Sequence, residues 1–455
     1  MNEGRHIAST GNILSPFRGI RYRIADPREL SDLMAPPYDI ISESMQAELH
    51  ARHPHNFVRV ELPGDGGDRY QRAAAALRGW LDESVLVREQ TPVLYLLEQE
   101  FRVGDRTLRR RGVFGLVRLP EAGEHHVLAH EGTLSQPKAD RLRLTRACRA
   151  MTSPMLLMAE DPEARLIGTL KQVEEEPEAV AEDDEGVINR VWTLRDPAST
   201  AAVCAGIGSG PLFIADGHHR FETALAFRNE MRQANSEAAP EAGFNYALAL
   251  VTSAKDDGLE ILPTHRLVAC PDEEGKEAMR ASMGEHFEVH RLDLPDPKSL
   301  GWQPWLEGRA SDRHVFGAYC GDGSYYVLIA RDDMLSPSQS VVGRLDVSIL
   351  HRYLIDPHLS ESGPAPDADG RISHDAQTTG TACRGARLRY ISDEEQAVAA
   401  VERGDYDFAL FLRPTRVSDV MAAARAGERM PGKSTYFYPK VPAGIVISDA
   451  SAEAI

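Results

Sequence analysis

Between Pro211 and Asn235 an apolar run, PLFIA, passes directly into DGHHR and then into FETALAFRNEMRQAN. The short apolar run reads as a buried strand. Ala224, Phe227 and Met231 then recur at the spacing of a helix that buries one face. The chain is thereby committed to a strand–turn–helix unit, and Asp216-Gly217-His218-His219-Arg220 fill the turn. A helix N-terminus offers unpaired N–H groups, glycine allows close approach, and an arginine stands alongside, so the turn forms an anion site with phosphate as its natural occupant. Asp216 is placed to hold a divalent cation or orient a hydroxyl, and His218 and His219 to donate to phosphate oxygens or shuttle a proton. The structural alternative makes Asp216 a helix N-cap and leaves the histidines as surface polar groups.

The rest of the chain mixes strand-like and helical stretches, which makes the fold class α/β with α+β character. NFVRVEL, PVLYLLEQEF and GVFGLVRL read as strands, and RYQRAAAALRGWLDESVL as a helix burying Ala73, Leu77, Trp80 and Leu81. At 455 residues the chain is too long for one ordinary core. Three regions are expected: 1–110, an N-terminal α+β region; 111–271, a core that holds the DGHHR turn; and 272–455, a C-terminal α/β domain. The segment EEEPEAVAEDDEG is nearly free of large apolar residues and reads as a solvated helix and loop, or a tether. SESGPAPDADGRISHD reads as a surface loop.

A net charge of −18 works against binding any extended phosphate polyanion, so a general nucleic-acid partner is not expected. No apolar run approaches a membrane span and MNEGRHIAST has no apolar leader, which places the expected protein in the cytoplasm with no membrane partner. Five scattered cysteines without a C-x-x-C pair argue against a disulfide framework or structural zinc; they are expected reduced and individually buried.

Other segments carry chemistry-bearing residues. His130-Glu131 ends a strand-like run; the glutamate is either helix-dipole electrostatics or a general base. His125, His126 and His130 have a spacing that allows metal binding, without an H-E-x-x-H motif. Gly427–Ser434 fits the Walker A pattern letter for letter, but a helical stretch precedes it and TYFYPKVPAGIVI follows, the reverse of the strand–loop–helix a P-loop needs. Lys433, Ser434 and Thr435 remain able to meet a carboxylate or phosphate. Leu262-Pro263-Thr264-His265-Arg266 ends a strand with an imidazole and a guanidinium. GIGSG at Gly206–Gly210 lacks dinucleotide spacing and reads as a turn.

Together these segments resemble a bacterial family long described as of unknown function. Its members share A-P-P-Y-D (here Ala35–Asp39), H-E-x-T with P-K-x-D-R (His130–Arg141), A-D-G-H-H-R-x-x-T-A (Ala215–Ala224), L-P-T-H-R (Leu262–Arg266) and M-P-x-K-S-T-x-F-x-P-K (Met430–Lys440). That family in turn resembles the free serine kinases of the ParB/sulfiredoxin fold. The resemblance implies a ParB/sulfiredoxin-like core with added N- and C-terminal α/β regions, and transfer of a phosphoryl group from ATP or ADP to the hydroxyl of free L-serine with Mg²⁺. Glu131 is the implied base on the hydroxyl. Asp216 is the implied catalytic partner or Mg²⁺ ligand, with His218 beside it, and Gly217–Arg220 form the phosphate cradle. His130, Lys433, Ser434, Thr435, His265 and Arg266 fall on the substrate side. Sulfiredoxin chemistry lacks its cysteine, because His218 stands there, and a ParB-type DNA binder lacks its basic helices. The alternatives are a nucleotide-binding regulatory protein without turnover and a phosphotransferase for another small alcohol.

Overall fold

The computed structural model describes residues 13–64, 66–132, 135–173, 175–208, 210–292, 302–307, 313–334, 340–359, 386–451 and 453. The N-terminal MNEGRHIAST, the SESGPAPDADGRISHD stretch and Cys383 lie outside them. The chain is mixed α/β and forms two compact units: 1–129, 133–260 and 439–455 make the first, and 130–132 with 261–438 the second.

The first unit is organised on a nine-stranded sheet. Its strands are β1 (Leu14–Ser15), β2 (Leu94–Val103), β3 (Arg106–Arg118), β4 (Val127–Leu128), β5 (Met155–Ala159), β6 (Ala179–Glu182), β7 (Ile188–Leu194), β8 (Leu212–Asp216) and β9 (Tyr246–Ser253), in the order β4-β8-β5-β9-β3-β2-β7-β6 with β1 on β3. The β8–β4 and β9–β5 pairs are parallel and the others antiparallel. Four helices matter here: α1 (Arg69–Asp82), α2 (Ser135–Cys148), α3 (Arg165–Leu170) and α4 (Pro197–Ile207). The helix after β8 is α5 (His218–Ala234). Its apolar stripe, including Ala224, Phe227 and Met231, is buried as the 3.6-residue period requires. On α1 the stripe buries Ala73, Leu77 and Trp80, while Leu81 stays half-buried.

Several features differ from the sequence reading, beginning with NFVRVEL, which forms a short helix over Val58–Glu61 and not a strand. The break expected near residue 111 falls inside β3, which is zipped to β2 from Tyr95↔Phe114 to Val103↔Arg106, so no boundary exists there. The acidic segment is neither a helix nor a tether: Ala179–Glu182 is a strand paired with β7, with Ala181 fully buried. The two inward positions, Ala179 and Ala181, carry side chains small enough to pack, with Val180 and Glu182 turned to the other face. The C-terminal AGIVIS stretch belongs to the first unit, bridged through Ala443↔Ala35 and Ile447↔Ile20, and not to a domain running from 272 to 455.

The second unit carries a six-stranded antiparallel sheet. Its strands are β10 (His265–Ala269), β11 (Phe287–Leu292), β12 (Val315–Tyr319), β13 (Tyr325–Ala330), β14 (Arg387–Ile391) and β15 (Phe408–Phe411), ordered β11-β13-β12-β15-β10-β14. Helices α6 (Glu273–His286), α7 (Glu394–Glu402) and α8 (Val417–Arg425) accompany it, and a short strand β16 (Tyr436–Tyr438) follows α8. No helix among the described residues is long and apolar enough to cross a membrane. The described cysteines are all free; Cys204 and Cys320 are buried, and Cys148 and Cys270 half-buried.

Candidate functional site

In the first unit the site is built at the end of β8. The pairing of β8 with β5 shifts register between Ile214 and Asp216, a bulge that re-aims the last side chain of the strand. Gly217 follows at φ 94°, a backbone that favours glycine, and stands as N-cap of α5 without a side-chain cap. The N-cap residue thus supplies no side chain to the first turn of this 17-residue helix, whose N–H groups carry partial positive charge. A Cβ on Gly217 would sit 3.0 Å from Arg220 Nε and 3.3 Å from Met155 Cα, so close approach as well as φ demands glycine.

Asp216 is held by two cations. Lys440 Nζ donates to its Oδ1 at 2.5 Å, and Arg220 Nη2 to its Oδ2 at 2.5 Å, while Arg220 Nη1 reaches the Pro154 carbonyl. Burial opposes ionisation of this carboxyl, but Lys440 and then Arg220 outweigh it and hold the group well below the ordinary carboxylate range. With an ammonium on one oxygen and a guanidinium on the other, Asp216 does not fit the role of a Mg²⁺ ligand. Arg220 is correspondingly engaged in bracing the turn. His218 is buried and His219 half-buried.

Lys440 is presented by a polar row inside the sheet. Arg110 on β3, 1% exposed, donates to the Pro439 carbonyl at 2.6 Å and to Gln99 Oε1, and Gln99 Nε2 donates to the Lys440 carbonyl at 3.1 Å. Burial pulls the Arg110 guanidinium down to about 10. Two further sequence motifs meet nearby: Arg141 of PKADR stacks on the Tyr38 ring of APPYD at 4.1 Å, and donates to the Glu61 carbonyl at 2.7 Å. The Glu61 carboxylate, fully buried, accepts from Thr152 at 2.8 Å and Ser153 at 2.6 Å. Asp39 Oδ1 is buried and meets no hydrogen-bond donor among the described residues, while the carboxylate stays in electrostatic reach of Arg220.

In the second unit the structure brings together residues some 300 positions apart. Glu131 bridges to Met430, whose N–H donates to the His130 carbonyl at 2.8 Å. Glu131 Oε1 accepts the Lys433 N–H at 3.0 Å, and His130 Nε2 lies 3.3 Å from Thr435 Oγ1. Lys433 stands at φ 58°, left-handed without being glycine, a backbone that costs roughly 1–2 kcal/mol. Ser434 Oγ closes the turn on the Pro431 carbonyl at 2.5 Å. The Walker-like string therefore leaves a helix, turns, and enters β16, the opposite of a P-loop.

His265 and Arg266 are buried supports and not surface binding groups. Burial, then Arg266, lowers the His265 imidazole to about 3, so it is neutral; its Nδ1 accepts the Leu412 N–H at 3.3 Å. Arg266 donates to the Lys433 carbonyl at 3.2 Å and to the Thr264 carbonyl. Of the histidines read as metal candidates, His126 is engaged with the Arg118 carbonyl at 2.8 Å. Sequence reasoning gave no role to Lys440, Arg110 or Glu61, although Lys440 closes the M-P-x-K-S-T-x-F-x-P-K motif.

Among solved structures, a conserved hypothetical protein from Pyrococcus furiosus aligns at 14% identity over 74% of this chain and 95% of its own, with a TM-score of 0.35. A free serine kinase in complex with AMP aligns at 13% identity over 74% and 92%, TM-score 0.36. SbnI from Staphylococcus aureus, with a C-terminal truncation, aligns at 12% over 72% and 84%, TM-score 0.33. No curated protein matches. A family model described as a protein of unknown function, DUF1015, matches residues 14–348, more than half of the sequence, and the chain belongs to that family.

Proposed function

We propose that this protein is a nucleotide-dependent kinase that transfers a phosphoryl group from ATP or ADP to the hydroxyl of free L-serine. The observation that carries the reading is the turn after β8: a glycine N-cap at φ 94° opening a 17-residue helix, beside the Lys440–Asp216–Arg220 cluster. Such a turn suits the terminal phosphates of a nucleotide, since helix N–H groups and fixed cations stabilise anionic oxygen without reorganising. The choice of serine as acceptor rests on the motif resemblance.

The roles fall to two groups of residues, each within its own unit. In the first, the N–H groups of His218, His219 and Arg220 bind phosphate oxygens, and Asp216, fixed by Lys440, keeps Arg220 aimed at the turn. In the second, Glu131 accepts the serine hydroxyl proton. The hydroxyl oxygen forms a bond to the terminal phosphorus as the bond from phosphorus to the bridging oxygen breaks. The electron pair leaves on the nucleotide, shortened by one phosphate, and the product is O-phosphoserine. Lys433, Ser434 and Thr435 bind the amino-acid carboxylate. No step is assigned to Mg²⁺, because Asp216 carries cations already.

The full chain is to be incubated with ATP or ADP and L-serine, with and without Mg²⁺, alongside a panel of other small alcohols, and the products identified by mass. O-phosphoserine is expected, and Glu131→Gln is expected to lower turnover ~10²–10⁴-fold while nucleotide affinity holds. Full activity in Glu131→Gln, or nucleotide binding without any phosphorylated acceptor, would overturn the proposal.

A further inference from the structure

Lys433 is the point at which the base is tied to the body of the second unit. Its N–H donates to Glu131 Oε1 at 3.0 Å, and its carbonyl accepts from Arg266 Nη2 at 3.2 Å. One residue in a left-handed backbone thus joins a carboxylate to a buried guanidinium. Such a conformation persists only where its surroundings over-determine it. Thr415 Oγ1 adds a further hold, donating to the Ser434 carbonyl at 2.8 Å.

Arg266 is itself fixed. At 1% exposure, its Nε donates to His351 Nε2 at 3.3 Å, and His351 Nδ1 lies 2.9 Å from Asp356 Oδ1. A guanidinium only donates, so His351 Nε2 is the acceptor, its proton sits on Nδ1, and that proton is donated to Asp356. A single direction of donation therefore runs outward from Arg266. One branch passes through His351 to Asp356; the other reaches the Lys433 carbonyl and, across the Lys433 Cα, the N–H of the preceding peptide that donates to Glu131.

We propose that Asp356, His351 and Arg266 form a positioning relay that sets the Lys433 backbone and, through it, the orientation of the Glu131 carboxylate. The proposal rests on Glu131 being the base. Neither Arg266 nor His351 touches substrate in this scheme; they act through Lys433. The outermost member, Asp356, has a side chain 54% exposed, so the relay can be perturbed at its far end without opening the core.

The test compares Arg266→Met and Asp356→Asn in the full chain by hydrogen exchange of the peptide spanning Met430–Thr435, by kcat, and by nucleotide Kd. Faster exchange of that peptide is expected in both variants, including Asp356→Asn, which is three hydrogen bonds removed from Lys433. In Arg266→Met, kcat is expected to fall about 10–100-fold with nucleotide Kd within about 2-fold, since misplacing a reacting group by about 1 Å costs on this scale. In a Glu131→Gln background, Arg266→Met is expected to add almost nothing. Unchanged exchange in both variants, or a full Arg266→Met loss persisting in Glu131→Gln, overturns the inference. Faster exchange in both variants, together with a wild-type chain that phosphorylates no acceptor, would support the relay's hold on the Lys433 backbone while overturning the kinase reading.

Discussion

Replacing Lys440 by Met keeps the aliphatic stem and removes the ammonium that lies 2.5 Å from Asp216. The pair is largely dry, with side-chain exposures of 11% for Lys440 and 19% for Asp216. Removing one partner of a buried pair typically costs about 3–5 kcal/mol, and because Asp216 keeps Arg220 the expected loss falls just below that range, about 2–3 kcal/mol. For a unit of this size that corresponds to a fall in Tm of roughly 5–10 °C. The sign with pH follows from the depressed carboxyl of Asp216. Its stabilisation is present above the ordinary carboxylate range and is lost as pH falls through the lowered value. In both proteins the loss begins as the unfolded carboxyl protonates; without Lys440 the depression shrinks, so the loss is complete at a higher pH than in the wild type. The gap between variant and wild type is therefore full at about pH 7 and narrows below about pH 4. Denaturant unfolding across that range, with the Lys440→Met/Asp216→Asn cycle, checks it; a coupling of at least ~1 kcal/mol is expected. A constant gap from neutral to acid pH, or additive single effects, would refute the assignment and leave packing of the lysine stem as the cause.

Gly217→Ala adds a methyl at φ 94° against Arg220 and the Met155 backbone, and is expected to cost about 1–3 kcal/mol in unfolding experiments and to weaken nucleotide binding in calorimetry. His265→Gln concerns acid stability. The imidazole, lowered to about 3 from an unfolded value near ~6.5, contributes stability above about pH 6.5 that is lost progressively toward pH 3. The variant is expected to show a flatter stability profile over that window in equilibrium unfolding, and an unchanged slope would argue against a neutral buried imidazole.

The parts of the fold written in local pattern were legible. PLFIA is a strand and FETALAFRNEMRQA a helix because apolar period and a glycine stop act over a few residues, whatever the rest of the chain does. The acidic segment was misread because its inward positions are alanines, too small to register as a strand against so many carboxylates, and its pairing with β7 supplies what the pattern lacks. The domain limits failed for another reason: the β2–β3 hairpin and the return of the C-terminal stretch to Ile20 and Ala35 are long-range pairings, set by which edges are open once the sheet exists.

The candidate site shows the same division, one level up. Residue type brought Gly217 and Arg220 forward as candidates, since a strand-to-helix turn seldom combines a glycine with an arginine, whereas Glu131 was singled out as the base through the motif resemblance. Type could not reveal that Asp216 is already neutralised, because its partners arrive from Lys440, 224 positions away, and from one helical turn ahead. Nor could it show that Arg266 is buried against a carbonyl and an imidazole while Lys433 is held by its backbone, since both are cations in matched motifs. Only the direction of their hydrogen bonds does so. A carboxylate whose charge is balanced by a distant lysine can be kept ionised without a metal. The motif that announces a metal ligand in the sequence can therefore be, in the folded chain, the anchor for the arginine beside it.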